Sequence, residues 1–282
     1  MLCITKLSFG DSIVMQKIKR FGEMELRLMF TLEQRENQLF SIADAKRILG
    51  SSDASVWNVL KRLMKKRRVI RLQRGAYLFA PLRSGEEGLW SEDAFRVVPM
   101  LVGKRRFYIG FVSAMNHWGM TEQLPIVVYV ALKRQKRGID AVQSRFVFVK
   151  KKRLGKFLQI SLGDTKVNIS TVEQTILDGL SFPEYCLGIA GIAKAIWFVQ
   201  KDIEWQKLLS LAKSEKNAVR RRLGYLLEIL GFRRQAKELE GVFSGYFWLD
   251  PSNLRDDFEY SKKWGLKINL KKRDLLEFME VH

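Results

Sequence analysis

The sequence predicts an α+β architecture in two parts, a small helical module closed by a β-hairpin and a larger mixed α+β domain with a small sheet and several helices. Three observations carry that prediction. Short apolar-periodic segments meet at Gly50, β-branched and aromatic runs cluster between residues 106 and 170, and 3.6-residue periodicity dominates from Thr171 onward. A length of 282 residues with 47% hydrophobic content is enough for two cores of ordinary size. The expected boundaries are 1–22 for an N-terminal extension, 23–82 for the first module, 83–98 for a connector and 99–282 for the second domain.

From Glu23, EMELRLMFTLEQ places Met24, Leu28 and Leu32 at helical spacing and runs into the polar break RENQ. A second helix follows in IADAKRILG. Ser41 suits its N-cap, Ile42, Ala45 and Leu49 are expected to face inward, and Gly50 suits a left-handed stop. The third, SSDASVWNVLKRLMKKRRV, opens on Ser and Asp side chains that satisfy free N–H groups, then repeats Val56, Val59, Leu60 and Leu63 along one face. Two short helices joined by a glycine turn form a helix-turn-helix, whose second member is presented to a major groove. VIRL and AYLF, separated by Gln73, Arg74 and Gly75, read as a hairpin, the wing of a winged helix-turn-helix, and Pro81 ends the module.

At about 100° per residue, Ala54, Asn58, Lys61 and Lys65 lie opposite the apolar stripe of the third helix, flanked by Ser55, Trp57 and Arg62. An amide and a hydroxyl near the helix start suit base edges; Lys61, Arg62 and Lys65 suit phosphates, and Arg71 and Arg74 on the wing could reach a backbone or minor groove. The same pattern is also compatible with a protein-interaction module whose basic face is only solvated. Charge favours nucleic acid. Met1 to Leu82 holds 16 Lys and Arg against 7 Asp and Glu, and the whole chain carries a formal +20.

Beyond the connector RSGEEGLWSED, RFYIGF reads as a strand leading into the helix SAMNHWG, IVVYVAL and RFVFV as further strands, and LQISL and KVNIS as a hairpin about Gly163-Asp164. A small mixed or antiparallel sheet is expected. TVEQTILDGL, GIAGIAKAIWFV, IEWQKLLSLAK, AVRRRLGYLLEILGF and RQAKELEGVF then read as helices; the fourth should bury Val219, Leu223, Leu226, Leu227 and Leu230 and expose Arg220, Arg221 and Arg222 at its first turn. The densest charge runs from Lys133 to Lys156, with Asp140 its lone acid. Loop solubility is the plain reading of such a run. The charge also suits a second anion-contacting surface of Lys133, Arg134, Lys136, Arg137, Lys150, Lys151, Lys152 and Arg153, for instance to DNA flanking the main site.

Composition excludes several function classes. Two cysteines, Cys3 and Cys186, and two histidines, His117 and His282, are too few for thiolate zinc sites, HExxH sites or a disulfide framework, so neither metal nor cofactor is expected. His117, in MNHWGM, reads as a packing or helix-end residue. GIAGIAK, with Gly188 and Gly191, suits close helix packing better than phosphate binding. Asp164-Thr-Lys166 is similar to the acid-x-Lys element of metal-dependent nucleases, but no second carboxylate accompanies it in the hairpin turn. Glu173 and Asp178, five residues apart and about 140° around one helix, suit capping and surface roles. No run approaches the ~18–20 apolar residues of a membrane span, and MLCITKLSFGDSIVM lacks the form of a secretory signal, so the expected compartment is the cytoplasm.

Several phrases in order, RLQRGAYLFAP, FYIGFVSAMNHWGM, VNISTVEQTILDGLSFPEYC, NAVRRRLGYLLEILG and FWLDP followed by KKWGLKINL, resemble the AbiEi family of antitoxins and transcriptional regulators of abortive-infection systems. The resemblance spans roughly Glu23 to Leu270, and the chain departs from it in about twenty residues before the first helix and in its charge. It implies a repressor that binds double-stranded DNA at inverted repeats in its own promoter, with the contacts at Ser55, Asn58, Lys61, Arg62, Lys65 and Arg74, and no enzymatic turnover. It further implies a nucleotidyltransferase-like toxin as counterpart, in a type IV arrangement without a stable complex. Two alternatives stay open: a metal-dependent nuclease delivered to DNA by the first module, and a solitary regulator whose second domain binds protein.

Overall fold

The protein is described by a computed structural model covering residues 20–35, 38–84, 93–124, 126–254 and 257–279. The expected N-terminal extension (all but its last three residues), half of the connector, Cys3 and His282 lie outside these. Described residues within Met1–Arg71 and Tyr77–Gly88 make one compact unit, and those within Leu72–Ala76 and Leu89–His282 the other.

In the first unit α1 (Glu23–Glu33), α2 (Ile42–Leu49) and α3 (Asp53–Lys65) surround a core of Leu28, Leu32, Phe40, Ala45, Val56, Leu60 and Leu63. The capping chemistry read from the sequence is in place. Ser41 accepts from the Asp44 N–H (3.1 Å) while Asp44 accepts from the Ser41 N–H (2.9 Å), and Gly50 ends α2 at φ 61°, a left-handed conformation that costs glycine nothing. β2 (Val69–Gln73) and β3 (Ala76–Phe79) form the hairpin, and β1 (Leu39–Ser41) completes a three-stranded sheet in the order β1-β3-β2. Ile42 departs from expectation by being 37% exposed. It is the first residue of α2, and Cβ vectors tilt toward a helix's N-terminus, so its side chain projects past the helix end instead of into the core.

The second unit holds a six-stranded mixed sheet in the order β6-β7-β5-β4-β9-β8. Its strands are β4 (Phe107–Ile109), β5 (Val127–Leu132), β6 (Ile139–Ala141), β7 (Ser144–Lys150), β8 (Phe157–Leu162) and β9 (Thr165–Ser170). β8 and β9 are the hairpin about Gly163-Asp164, while β5 pairs with β7, and β4 with β9, in parallel. Before the sheet runs α4 (Ala94–Val102), which the sequence did not suggest because Pro99 sits inside it; α5 (Phe111–His117) links β4 to β5.

Helices α6 (Val172–Ser181), α7 (Gly188–Phe198), α8 (Trp205–Ser214), α9 (Asn217–Ile229) and α10 (Arg233–Lys237) build the larger core. A short sheet of β10 (Phe247–Trp248), β11 (Glu259–Ser261) and β12 (Leu266–Ile268), followed by α11 (Lys272–Leu276), completes the unit. The glycine that admits α7 to α6 is Gly179, where a Cβ would lie 2.1 Å from Ile192. Gly188 and Gly191 of GIAGIAK serve the start of α7 itself. Gly188 takes φ +71°, and a Cβ on Gly191 would meet Leu187 at 2.5 Å.

The arginine triplet of α9 is not the exposed turn that its charge suggests. Arg221 and Arg222 are buried, and all three guanidinium groups clamp main-chain carbonyls. Arg220 donates to Leu239 and Glu240 (2.9 and 2.6 Å), Arg221 to Gly245, Gly265 and Ser244 (2.7, 3.1 and 2.9 Å), and Arg222 to Trp248 and Leu180 (3.0 and 2.6 Å). A planar fork with five donors can serve several acceptors at once, which is why arginine is tolerated there. Trp264 packs beside them on Gly224, where a Cβ would lie 2.0 Å from its ring.

Candidate nucleic-acid interface

The turn between α2 and α3 is set by Gly50 and by Ser52, whose hydroxyl accepts from the Ser55 N–H at 3.4 Å; Lys46 and Asp53 pair across it at 2.7 Å. Val56, Val59, Leu60 and Leu63 are buried along one stripe of α3. Trp57, Asn58, Lys61, Arg62 and Lys65 are therefore exposed on the other side, as the helical spacing requires, and Ser55 is half-buried with its hydroxyl engaged by Ser52 at 3.1 Å. The side chains of Asn58, Lys61 and Lys65 have no hydrogen-bond or ion-pair partner among the described residues. An α-helix is about 10–12 Å across with its side chains, which fits the width of a major groove of about 12 Å, and the 13 residues of α3 extend about 20 Å.

Two of the basic residues near this face are already occupied. Arg62 donates to Glu25 at 2.6 Å and Lys66 pairs with the other carboxylate oxygen, so one buried acid on α1 holds the last turn of α3. Burial alone would raise the Glu25 pKa. The hydrogen bonds from Lys66, the Gly22 N–H and Arg62 outweigh it and hold the carboxyl below its usual range. Arg71 on β2 lies over the Trp57 ring at 5.5 Å, which places a guanidinium beside α3; Arg74 is exposed at the hairpin turn, in the Leu72–Ala76 segment that groups with the second unit.

The second basic set is gathered by sheet topology. β5 and β7 are parallel with Leu132 opposite Lys150, so the runs that follow them, 133–137 and 151–156, leave the sheet at the same end. Lys133, Arg134, Arg137, Lys150, Lys152 and Arg153 are exposed. Lys136 is half-buried over the Phe148 ring at 5.1 Å, and burial, with Arg105 nearby, lowers its pKa. Lys151 does not join this surface. It is buried in an ion pair with Asp178, which also accepts from Tyr108 Oη (2.6 Å) and Gln174 Nε2 (2.8 Å). Asp178 thus has an internal role in place of the surface one expected, and Glu173, equally buried, pairs with Lys207 at 3.1 Å. Tyr108 is driven far above its usual pKa by burial and by the Asp178 charge, so it stays a neutral donor.

The remaining sequence candidates are placed simply. His117 ends α5 edge-on to Trp118, with ring centroids 4.7 Å apart. Asp164 is held by Arg96 at 2.9 Å. Among the described residues no three His, Cys, Asp or Glu side chains are grouped to hold a metal ion, and no helix is long and apolar enough to cross a membrane. Sequence reading missed Arg106 and Lys216, which the fold brings to the basic run after β7 from positions far away in the chain.

Residues 27–80, from α1 to just past β3, match the family model described as transcriptional regulator, AbiEi antitoxin. This module is an AbiEi-type domain. Among solved structures, the crystal structure of RV2827C protein from Mycobacterium tuberculosis is similar with a TM-score of 0.67, covering 93% of this chain and 96% of that one at 14% identity. A likeness at that identity is one of fold. No curated protein matches the chain. The AbiEi-type match ends at residue 80 and does not reach the 89–282 part of the second unit.

Proposed function

We propose that the protein is a transcriptional repressor that reads its operator through α3 of the AbiEi-type domain and autoregulates its own operon. The observation that carries this reading is the face of Asn58, Lys61 and Lys65, exposed and without partners among the described residues, on a helix that is capped, buried behind and presented by a glycine turn. Asn58 is suited to a base edge, Trp57 and Ser55 border it, and Lys61, Lys65, Arg71 and Arg74 supply phosphate contacts. The basic set after β5 and β7 is proposed to meet anionic groups too. In this reading the protein acts in the cytoplasm without turnover, as antitoxin of a type IV abortive-infection system opposing a nucleotidyltransferase-like toxin with which it forms no stable complex.

The nuclease alternative draws no support from Asp164, whose carboxylate already has a guanidinium partner. The test is titration of the protein against its own upstream DNA and a scrambled duplex at several salt concentrations. The proposal expects affinity for the upstream DNA higher by about 10³-fold or more. Equal affinity for both would refute operator reading.

A further inference from the structure

The run after β7 has the composition of a solvated loop but not its freedom. Lys151 is anchored to Asp178, the Lys156 N–H donates to Gln174 Oε1 (3.0 Å), and the Lys156 carbonyl accepts from the Thr171 N–H (3.2 Å). Gly155 sits so close to α6 that a Cβ would lie 2.0 Å from the Gln174 side chain. The segment is therefore fastened to α6 at both ends, to its start at Lys156 and to its later half at Lys151, and its exposed cations stand on a fixed backbone.

Those cations line a cleft of about 690 Å³. Lys150, Lys152, Arg153 and Lys156 form one side, Arg106 and Lys216 reach it from elsewhere in the fold, and Glu215 is the one acidic residue of the lining among the described residues. Lys216 is also the N-cap of α9, whose first turn holds no acidic residue and whose N-cap makes no side-chain hydrogen bond, so the positive end of that helix adds to the field. Lys151, neutralised by Asp178, forms part of the lining without demanding a counterion. Crowding cations in one concavity raises their mutual repulsion, which a multiply charged anion relieves. The cleft also has an apolar part, made by Leu154, Phe182 and Leu211. Its volume falls within the range of small-molecule sites. A nucleic-acid duplex would meet only the rim and leave that apolar part uncovered.

We propose that this cleft binds a nucleoside di- or triphosphate, its phosphates among the lysines and arginines and its base against Phe182 and Leu154. The site is separate from the face of α3 and stands whether or not that face reads an operator. The test is calorimetric titration of the full-length protein with ATP, GTP and inorganic tripolyphosphate, alongside the Lys152→Ala/Lys156→Ala double variant and Phe182→Leu.

At least one nucleotide should bind about tenfold more tightly than tripolyphosphate, because only the nucleotide has a ring to cover the apolar part. The double variant should weaken nucleotide and tripolyphosphate alike by about tenfold or more, both replaced side chains being exposed and free of any part in the core. Phe182→Leu should remove the nucleotide's advantage and leave tripolyphosphate unchanged, with circular dichroism verifying the fold of each variant. Absence of nucleotide binding at about 1 mM ligand, tripolyphosphate binding as tightly as both nucleotides, or affinities indifferent to the double variant would each overturn the proposal. In the first case, a short duplex whose affinity falls in the double variant would assign the cleft to a polynucleotide backbone.

Discussion

The most discriminating perturbation of the proposed operator face compares Lys65→Ala with Arg62→Ala across a salt series. Each phosphate neutralised by the protein releases condensed counterions, so log K falls with log salt at a slope of about −0.9 per contact. If Lys61, Lys65, Arg71 and Arg74 all contact phosphates, their joint slope is about −3.6, or about a 150-fold loss of affinity over a fourfold rise in salt. Lys65, exposed and without a partner among the described residues, should account for a full step of about 0.9. Arg62 already faces the Glu25 carboxylate at 2.6 Å, so much of its charge is answered before DNA arrives and Arg62→Ala should flatten the slope by well under that step. Fluorescence anisotropy with a labelled operator duplex at four salt concentrations measures both. An unchanged slope for Lys65→Ala, or a larger change for Arg62→Ala than for Lys65→Ala, would refute the assignment of this face.

Other outcomes follow from the same structure. Asn58→Ala should cost about 1–3 kcal/mol on the operator while sparing non-specific DNA, read by competition with base-substituted duplexes; a uniform loss on all sequences would make Asn58 a backbone contact. Glu25 has its pKa lowered in the folded protein, so its contribution to stability is complete above the ordinary carboxylate range and is lost as pH falls through the lower folded value. Glu25→Gln should therefore lower the urea midpoint at pH 7 and lessen its decline toward pH 3; a parallel decline in both proteins would count against the ion pair. Arg222→Ala leaves the carbonyls of Leu180 and Trp248 without this donor and should destabilise by about 2–5 kcal/mol, with Arg222→Lys recovering only part because an ammonium lacks the fork. A urea midpoint within error of the parent would show that those carbonyls find other donors.

What the sequence made legible is what one element decides alone. Ser41, Gly50 and Ser52 mark helix ends by local chemistry, the stripe of α3 follows from spacing, and Gly163-Asp164 makes its turn without reference to the rest of the chain. The face opposite that stripe was legible for the same reason. Charge was legible in amount but not in placement. Lys151 and Asp178 lie 27 residues apart and meet only because the segment after β7 is seated on α6; neither has a local pattern that separates it from its exposed neighbours. The triplet Arg220 to Arg222 likewise depends on carbonyl acceptors 19 to 44 residues away, and periodicity reports only that a position faces inward, never that a guanidinium there will be satisfied. The parallel β5–β7 pairing, which gathers the two basic runs, is a property of topology that alternation within a strand does not encode.

The arginine triplet of α9 also bears on how the chain can be divided. Three consecutive side chains reach the ends of α10, the β10 region, the turn before β12 and the end of α6, so the last forty residues are not a detachable tail. Cutting the chain ahead of Gly245 would strand buried cations whose acceptors had left, and the damage would begin in the middle of the helical core, far from the cut in sequence. A tag or fusion at the C-terminus keeps those acceptors, whereas a shortened version of the second unit is a different, weaker protein.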